Sequence, residues 1–399
     1  MHHRTIISPD EGGATPAFAR KRRLLFKLLR AAQPISRTEI ARRLDIDKST
    51  VTENIKPLIA EGLIGEKSEE GPESGRKFRG LSFAADDAYF IGVNLGVRRS
   101  QVGIITLNGD VTDEEDFETP SNAAAALKLA RDHVEKRYRA NSGRRLLVIG
   151  VSVPGMIDTQ RQELIYAPNL NWKKIPVASA FRLNDSVKVV VENDSTAAAM
   201  YEARVRLGRT DSEPIGDFIL VRSGTGIGVG LVIGGEAFRG SGSGRGVAGE
   251  FGHMTIVAGG KPCVCGNRGC WEKYASAASA ASLFLGDRPP GRGESVPRFI
   301  EIVNKAENGE NRSRRTLEKI GDYLGIGIAN VIMGIGIPKV IISGRLVYGW
   351  EFINGPLNEA IRRSMIGKIE GWSVEPGEPV GSAIGGALEV AVEEFLSTL

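Results

Sequence analysis

All three cysteines of this 399-residue chain fall within eight positions, from Cys263 through Cys265 to Cys270, and His253 stands ten residues ahead of the first. An odd number of thiols, two of them one residue apart, excludes a disulfide framework. One imidazole and three thiols make the ligand set of a closed, structural Cys3His zinc site. The plain alternative is three buried free thiols beside a core histidine. Against it stands the concentration of every cysteine in one segment rich in turn-forming glycines. The spacing is not that of a zinc finger or a zinc ribbon.

With 41% hydrophobic and 25% charged residues, the chain has the make-up of a globular protein of two or three domains. Its N-terminus carries basic residues but no apolar signal segment. The longest apolar stretch, Leu324 to Ile342, includes Asn330, Pro338, Lys339 and several glycines, and reads as a core helix followed by a strand rather than a membrane span. Free thiols suited to metal place the protein in the cytoplasm, with no membrane partner. The net charge of +4 hides an asymmetry: residues 20–80 carry +6 and the remainder −2. A basic N-terminal module on a nearly neutral body points to a polyanionic partner.

The module reads as three short helices. Residues 20–31 put Leu24, Leu25, Leu28 and Leu29 on one face and Arg22, Arg23, Lys27 and Arg30 largely on the other. Gln33-Pro34 breaks that helix. Ser36 then caps a second, with Glu39 completing a capping box, and Ile40, Ala41 and Leu44 form its apolar face. A third begins near Asp47 and carries Val51, Ile55, Leu58 and Ile59. A tight turn between the last two makes a helix-turn-helix. The first turns of the third helix are small and polar, which suits approach to base edges by Ser49, Thr50, Thr52 and Asn54, and to phosphates by Lys48. Ser36 and Arg37, where the second helix opens, are further candidate DNA contacts. Two strands flanking residues 66–80 would form a wing, with Arg76 and Lys77 at its tip meeting phosphate or minor groove. The partner would be double-stranded operator DNA. A small helical protein-interaction module with a solvated charged face is the alternative reading.

From Phe90 the chain becomes strands separated by glycines. Phe90 to Arg98 and Val102 to Leu107 read as a hairpin, and Asn108-Gly109 turns into a third strand. A helix follows from Ala123 to Ala140, then a buried strand from Leu146 to Val153. The pattern returns from Asp217 to Gly235, with a later strand at Val340–Gly344. The organisation predicted is a winged helix over 18–83, a first α/β lobe over 88–210 and a second over 211–399, joined near Asp211–Gly216. Val191-Glu192-Asn193-Asp194 ends a strand where a helix begins, the position at which open α/β sheets collect ligands. Asn193 can donate and accept there, and Asp194 can accept from two hydroxyls or act as a base, although such a pair is more often a helix cap.

The Glu250-x-x-His253 pair with its cysteine loop resembles the zinc loop of the ROK family (repressors, open reading frames and sugar kinases). The residues from about 85 to 399 resemble the two-lobed, actin-like (ribonuclease-H-like) body of that family. The N-terminal segment, with Gly71-Pro72-Glu73-Ser74-Gly75-Arg76, resembles the winged helix of ROK-type and MarR-like repressors. The resemblance implies that Glu250, His253 and Glu272, together with Asn193 and Asp194, contact a sugar or sugar phosphate. Asp194 matches the catalytic base of the family's kinases. The family's kinase motif is Asp-x-Gly-Gly-Thr, and here the matching stretch is Asn94-Leu95-Gly96-Val97-Arg98. The second phosphate-type loop, Ser223-Gly224-Thr225-Gly226, survives, and Ser343-Gly344-Arg345 stands where the family has a glycine pair near the adenosine. These departures imply a sensor rather than a kinase, namely a sugar-responsive repressor like the family's xylose-, N-acetylglucosamine- or glucose-responsive members. An active ATP-dependent kinase with a DNA-binding arm is the alternative. DNA half-sites one helical turn apart imply a homodimer or a dimer of dimers.

Overall fold

The computed structural model describes residues 16–70, 77–84, 87–109, 111–209, 216–240, 246–291, 295–379 and 381–399. Helices α1 (Pro16–Ala32), α2 (Arg37–Leu44) and α3 (Lys48–Ala60) precede a hairpin of β1 (Ile64–Glu70) and β2 (Lys77–Phe83). The alternation of leucine and isoleucine read from the sequence buries Leu25, Leu28, Leu29, Ile40, Val51, Ile55 and Leu58 in one cluster. Ser36 caps α2 by accepting from the Glu39 amide. The reciprocal half of the expected capping box is absent among the described residues: the Glu39 carboxylate binds Arg42 and Arg43 instead. Ile35 pairs with Leu81, so the connection after α1 adds a third edge to the wing. Of the expected wing tip, Arg76 lies outside the described residues, with the rest of 71–76, whereas Lys77 begins β2.

The body is built twice on one plan. In the first sheet the order is β10-β6-β3-β4-β5, made of β3 (Ala88–Asn94), β4 (Arg99–Ile105), β5 (Val111–Glu118), β6 (Arg145–Val153) and β10 (Lys188–Asn193). The first three are antiparallel, and β6 and β10 join in parallel. Between β4 and β6 runs α4 (Ala123–Ala140) through the connection after β5. A small sheet of β7 (Met156–Asp158), β8 (Glu163–Ala167) and β9 (Trp172–Ile175), with α5 (Val177–Phe181), precedes β10. Helix α6 (Asp194–Gly208) leads to the second sheet, ordered β13-β12-β11-β14-β15. Its strands are β11 (Phe218–Ser223), β12 (Ile227–Ile233), β13 (Glu236–Ala237), β14 (Lys339–Gly344) and β15 (Ser373–Pro376). Again three antiparallel strands are followed by two parallel ones. Helices α7 (Glu272–Ala275), α8 (Ser279–Phe284), α9 (Phe299–Glu307), α10 (Asn311–Ile335) and α11 (Trp350–Arg363) cover this sheet, and α12 (Ser382–Leu396) comes last. Among the described residues, no helix is long and apolar enough to cross a membrane.

Two long-range packings depart from the sequence reading. Assigning 211–399 to the second lobe places α12 there. It lies instead on the first sheet, where Leu388, Ala391 and Val392 join Phe90 and Val148 in one core and the Phe395 ring meets Phe90 edge-on at 5.7 Å. Apolar residues spaced three and four apart on α12 find their complement on the fully buried β3 rather than on the neighbouring lobe. The second departure concerns α1, whose cations do not form a free basic face. Arg30 is buried against Glu389 of α12 at 2.6 Å, with Arg204 of α6 at 3.3 Å from the same carboxylate. Lys27 meets Glu393 at 2.8 Å, and Arg23 meets Glu236 of β13 at 2.6 Å. Gln33 donates to the Leu107 carbonyl and Arg43 to that of Leu207, each at 3.0 Å. The helical module is therefore fastened to both lobes, and its core runs into that of the first.

Both partners of the Arg30–Glu389 pair are at most 3% exposed, so removing Arg30 leaves the buried Glu389 carboxylate with Arg204 alone as counter-ion. Arg30→Met is expected to cost about 3–5 kcal/mol in urea denaturation. The double variant Arg30→Met/Glu389→Met should recover part of that, less what Arg204 loses. A single-variant cost below about 1 kcal/mol would contradict this account.

Candidate functional site

Strands β3, β6 and β10 end on one side of the first sheet, and β11 and β14 end facing them across a cleft of about 410 Å3. Two local features position its floor. First, Asn193 ends β10 and caps α6: its Oδ1 accepts from the amides of Ser195 at 2.9 Å and Thr196 at 3.1 Å, and its Nδ2 donates to the Gly155 carbonyl at 2.9 Å. Second, β12 presents glycines to the start of that helix. A Cβ on Gly228 would stand 1.8 Å from Ser195 Oγ, and one on Gly230 would stand 2.5 Å from the Ser195 carbonyl. The alternating glycines therefore serve helix seating as well as the turn, and they lock α6 of the first lobe onto the second sheet.

Asp194, the next residue, is engaged on both oxygens. Oδ2 lies 2.7 Å from Arg222 Nη1, and Oδ1 accepts from Ser195 Oγ at 3.2 Å. Arg222, at the end of β11, had no motif to single it out and was missed by sequence reasoning, as was Asn169, whose Nδ2 reaches Glu272 Oε2 at 3.5 Å. Glu250 and His253 occupy one turn of 3-10 helix, and Glu272 begins α7 as a buried carboxylate. Burial, with Asp194 and Glu272 alongside, pushes the Glu250 carboxyl up to about 7. The expected ligand-contacting set, Asn193, Asp194, Glu250, His253 and Glu272, thus lines one cleft. Within it Asn193 is a structural cap, with most of its hydrogen-bonding capacity used.

Behind His253 the four predicted metal ligands converge, with ligand atoms within 4.8 Å of one another. Nδ1 lies 3.6 Å from Cys263 Sγ, and Cys265 and Cys270 sulfurs stand 3.7 Å apart, too far for a disulfide. Tetrahedral zinc with 2.3 Å bonds to sulfur would set such sulfurs about 3.8 Å apart, so the residues fit a metal of that size. Nε2 of the same ring is turned toward Glu250, at 3.9 Å. Burial pushes the Cys263 and Cys270 thiols above their ordinary range. Short bridges pairing Thr255 with Cys270 and Pro262 with Arg268 shape the loop. Trp271, fully buried, anchors it by donating to the Tyr323 carbonyl of α10 at 3.0 Å.

At the end of β3, Asn94 is buried and accepts from Ser152 Oγ at 3.0 Å. Arg99 is paired with Asp116 at 2.9 Å, whereas Arg98 is exposed. On the winged helix, Lys48, Ser49 and Thr52 are exposed at the start of α3, and Lys77 is exposed on β2; Thr50 and Asn54 are half-buried. Thr52 donates to the Lys48 carbonyl and so keeps only acceptor capacity, whereas Asn54, donating one N–H to the Thr50 carbonyl, keeps a second N–H and its Oδ1 for an outside partner. Ser36 is spent as a cap, and Arg37 is bonded to Glu66 of β1. Lys67 and Arg79 are further exposed cations of the hairpin that sequence reasoning passed over.

A winged helix fastened to a duplicated two-lobed body with a polar cleft and a Cys3His loop defines a class of protein. The ROK family model matches residues 90–380, and a model described as winged helix-turn-helix DNA-binding matches residues 19–64. The chain belongs to the ROK family. The xylose repressor of Bacillus subtilis is 30% identical over 342 residues, covering 84% of this chain and 85% of that protein. A ROK family glucokinase from Streptomyces griseus, solved with glucose and AMPPNP, is 27% identical with a TM-score of 0.63, over 76% of this chain and 99% of that one. A ROK family transcriptional regulator described as a homologue of the Escherichia coli MLC protein superposes over 95% of this chain and 97% of that one. Its TM-score is 0.73 at 21% identity, a likeness of fold that includes the winged helix.

Replacing Asn193 by alanine removes a cap and strands the Gly155 carbonyl. Thermal denaturation is expected to register a loss of about 0.5–2 kcal/mol, with Asn193→Ser restoring most of the capping share. Equal stability of the alanine variant would show that the cap is dispensable.

Proposed function

We propose that this protein is a sugar-responsive DNA-binding repressor, its kinase-type cleft turned to sensing. The observation that carries this reading is the Asp194–Arg222 pair in a body fastened to a winged helix. A carboxylate acting as a base needs a free oxygen against the substrate hydroxyl. A guanidinium 2.7 Å away competes for that oxygen. The family's acidic phosphate-loop residue is also replaced, by the internally bonded Asn94. The hydroxyl-reading groups remain: Glu250, His253 and Glu272 offer acceptors and a ring nitrogen, which suits a ligand whose hydroxyls both donate and accept.

Zinc at His253, Cys263, Cys265 and Cys270 would be structural. Its chemistry is to fix the loop: holding Nδ1 leaves Nε2 to donate toward a sugar oxygen, and it keeps Glu250 and Glu272 in place. On the DNA side, Ser49, Thr50, Thr52 and Asn54 face the bases, while Lys48, Arg76 and Lys77 meet phosphate or minor groove. Two copies would place paired recognition helices on successive major grooves. Helix α6 supports a route between the sites, since its first residues line the cleft and its last accept Arg43 of α2. Movement of the lobes about a sugar would then shift the helical module.

Operator titrations with and without sugar test the function. A typical coupling of ~1–3 kcal/mol predicts a change in operator affinity of roughly 5- to 150-fold, with no ATP turnover in a coupled assay on the same preparation. Turnover near ~10 per second would instead establish a kinase carrying a DNA-binding arm. Metal analysis is expected to find one zinc per chain in protein purified without chelator, and Cys265→Ser to lose it and lower the melting temperature. Zinc-free native protein would refute the assignment.

A further inference from the structure

Helix α1 stands on two supports of opposite character. Its later turns belong to the first lobe: Leu25, Leu28 and Leu29 share a core with Phe90 and Val148, and Arg30 is buried on Glu389. Its earlier turns rest on the second lobe, at the connection between β12 and β13. There Arg20 Nε donates to the Gly234 carbonyl at 3.1 Å, and Arg23 meets Glu236 at 2.6 Å. Gly234 and Gly235 both have positive φ, and their missing side chains admit the helix. A Cβ on Gly234 would fall 1.1 Å from Arg20 Nη2, and one on Gly235 would fall 2.7 Å from Leu24 Cδ2.

The supports differ in how they let go. Apolar packing with a buried ion pair has one good arrangement, and a slip strands charge. A half-exposed ion pair and an exposed hydrogen bond exchange with water at little cost. Beneath α1 lies a hollow of about 410 Å3, walled by Arg23 and Lys27 of the helix, Glu192 of β10, Glu236 and Arg239 of the second lobe and Glu393 of α12. Across it Arg239 of the second lobe pairs with Glu192 of the first. Glu192 directly precedes Asn193 and Asp194 of the cleft, and its Oε1 accepts from the Asn193 amide at 2.9 Å. The cleft and the hollow thus share one strand end, and movement of the lobes changes the separation of the two supports. We propose that the β12–β13 turn is the contact through which the second lobe steers the winged helix, by pressing on or releasing Arg20, Arg23 and Leu24 while the first lobe holds the rest of α1. The supports are about one helical turn apart, so a shift of ~1 Å between them tilts α1 by roughly 10°. Helices α2 and α3 follow, since Ile40, Val51 and Ile55 share the core of α1. This inference rests on the sensor reading and adds the contact by which sugar binding reaches the DNA-binding module, distinct from a route through the end of α6 and Arg43.

The test uses the full-length chain, with xylose, glucose, N-acetylglucosamine and their phosphate monoesters as probes. The probe that changes operator affinity most in the wild type is carried into the variants. Arg20→Ala/Arg23→Ala/Leu24→Ala removes the second-lobe support and leaves Arg30, the cleft and the recognition helix as they are. It is expected to bind the probe within about threefold of the wild type, because the altered residues stand apart from the cleft. The probe-dependent change in its operator affinity should fall to less than about twofold, from a range of roughly 5- to 150-fold. Glu236→Ala, a half-exposed position that leaves α1 itself intact, should lower that change in the same direction. Arg43→Ala, which removes the contact to the end of α6, should leave it within about twofold of the wild type. A merely structural support would lower the melting temperature of the triple variant and keep the probe effect. That outcome, or loss of the effect in Arg43→Ala with its survival in the other two variants, would overturn the inference and leave the sensor reading standing. Wild-type operator affinity indifferent to every probe would overturn both.

Discussion

The buried contact between Arg30 and Glu389 is the constraint on which the rest of the arrangement depends. Taking two charges out of water is expensive, and only close pairing offsets the cost. A small slip of α1 along α12 would strand both, so the pair selects one seating of the helical module among the many that apolar contacts alone would permit. Lys27 with Glu393 and Arg23 with Glu236 repeat the restriction along the same helix. Because Glu236 belongs to the second lobe and Glu389 packs on the first, α1 bridges the two halves rather than merely resting on one.

Helix α6 holds the complementary position inside the body. Its cap, Asn193, ties it to β10 and to Gly155, and the bare glycines of β12 let its first turn sit directly against the second sheet. Asp194 is thereby placed where both lobes meet, and Arg222 reaches it from across the cleft. The Cys3His loop, pinned by Trp271 to α10, sets the other wall. The cleft is defined by elements that each have a separate structural reason to be where they are, and this keeps its polar groups in place without a bound ligand.

Local patterns were legible wherever the cause is local. The spacing of Val51, Ile55 and Leu58 marks one face of a helix, the run from Ala88 to Asn94 marks a strand buried on both sides, and the clustered cysteines declare a ligand set. What escaped the sequence is long-range. The cations of α1 look like a free basic face because nothing nearby in the chain reveals their partners, one of which lies 359 residues away. The return of α12 to the first sheet has the same origin, since an amphipathic helix states that it has an apolar face and not which sheet will cover it. Arg222 was invisible because it follows an ordinary strand and gains its meaning only from Asp194 opposite. Asn193 illustrates the converse: its residue type fitted both a cap and a ligand contact, and only its hydrogen bonds separated the two roles.

The seat for the N-terminal module is supplied by a helix made after every other described element. During synthesis the winged helix emerges first, yet Glu389 and Glu393 follow on the order of tens of seconds later at ordinary elongation rates. Until then Lys27 and Arg30 lack these partners and remain hydrated cations on a nascent chain. The module gains its final seating on α12 only once that helix has been made. The order of translation itself thereby leaves the buried cation of α1 without its counter-ion until the last helix is made.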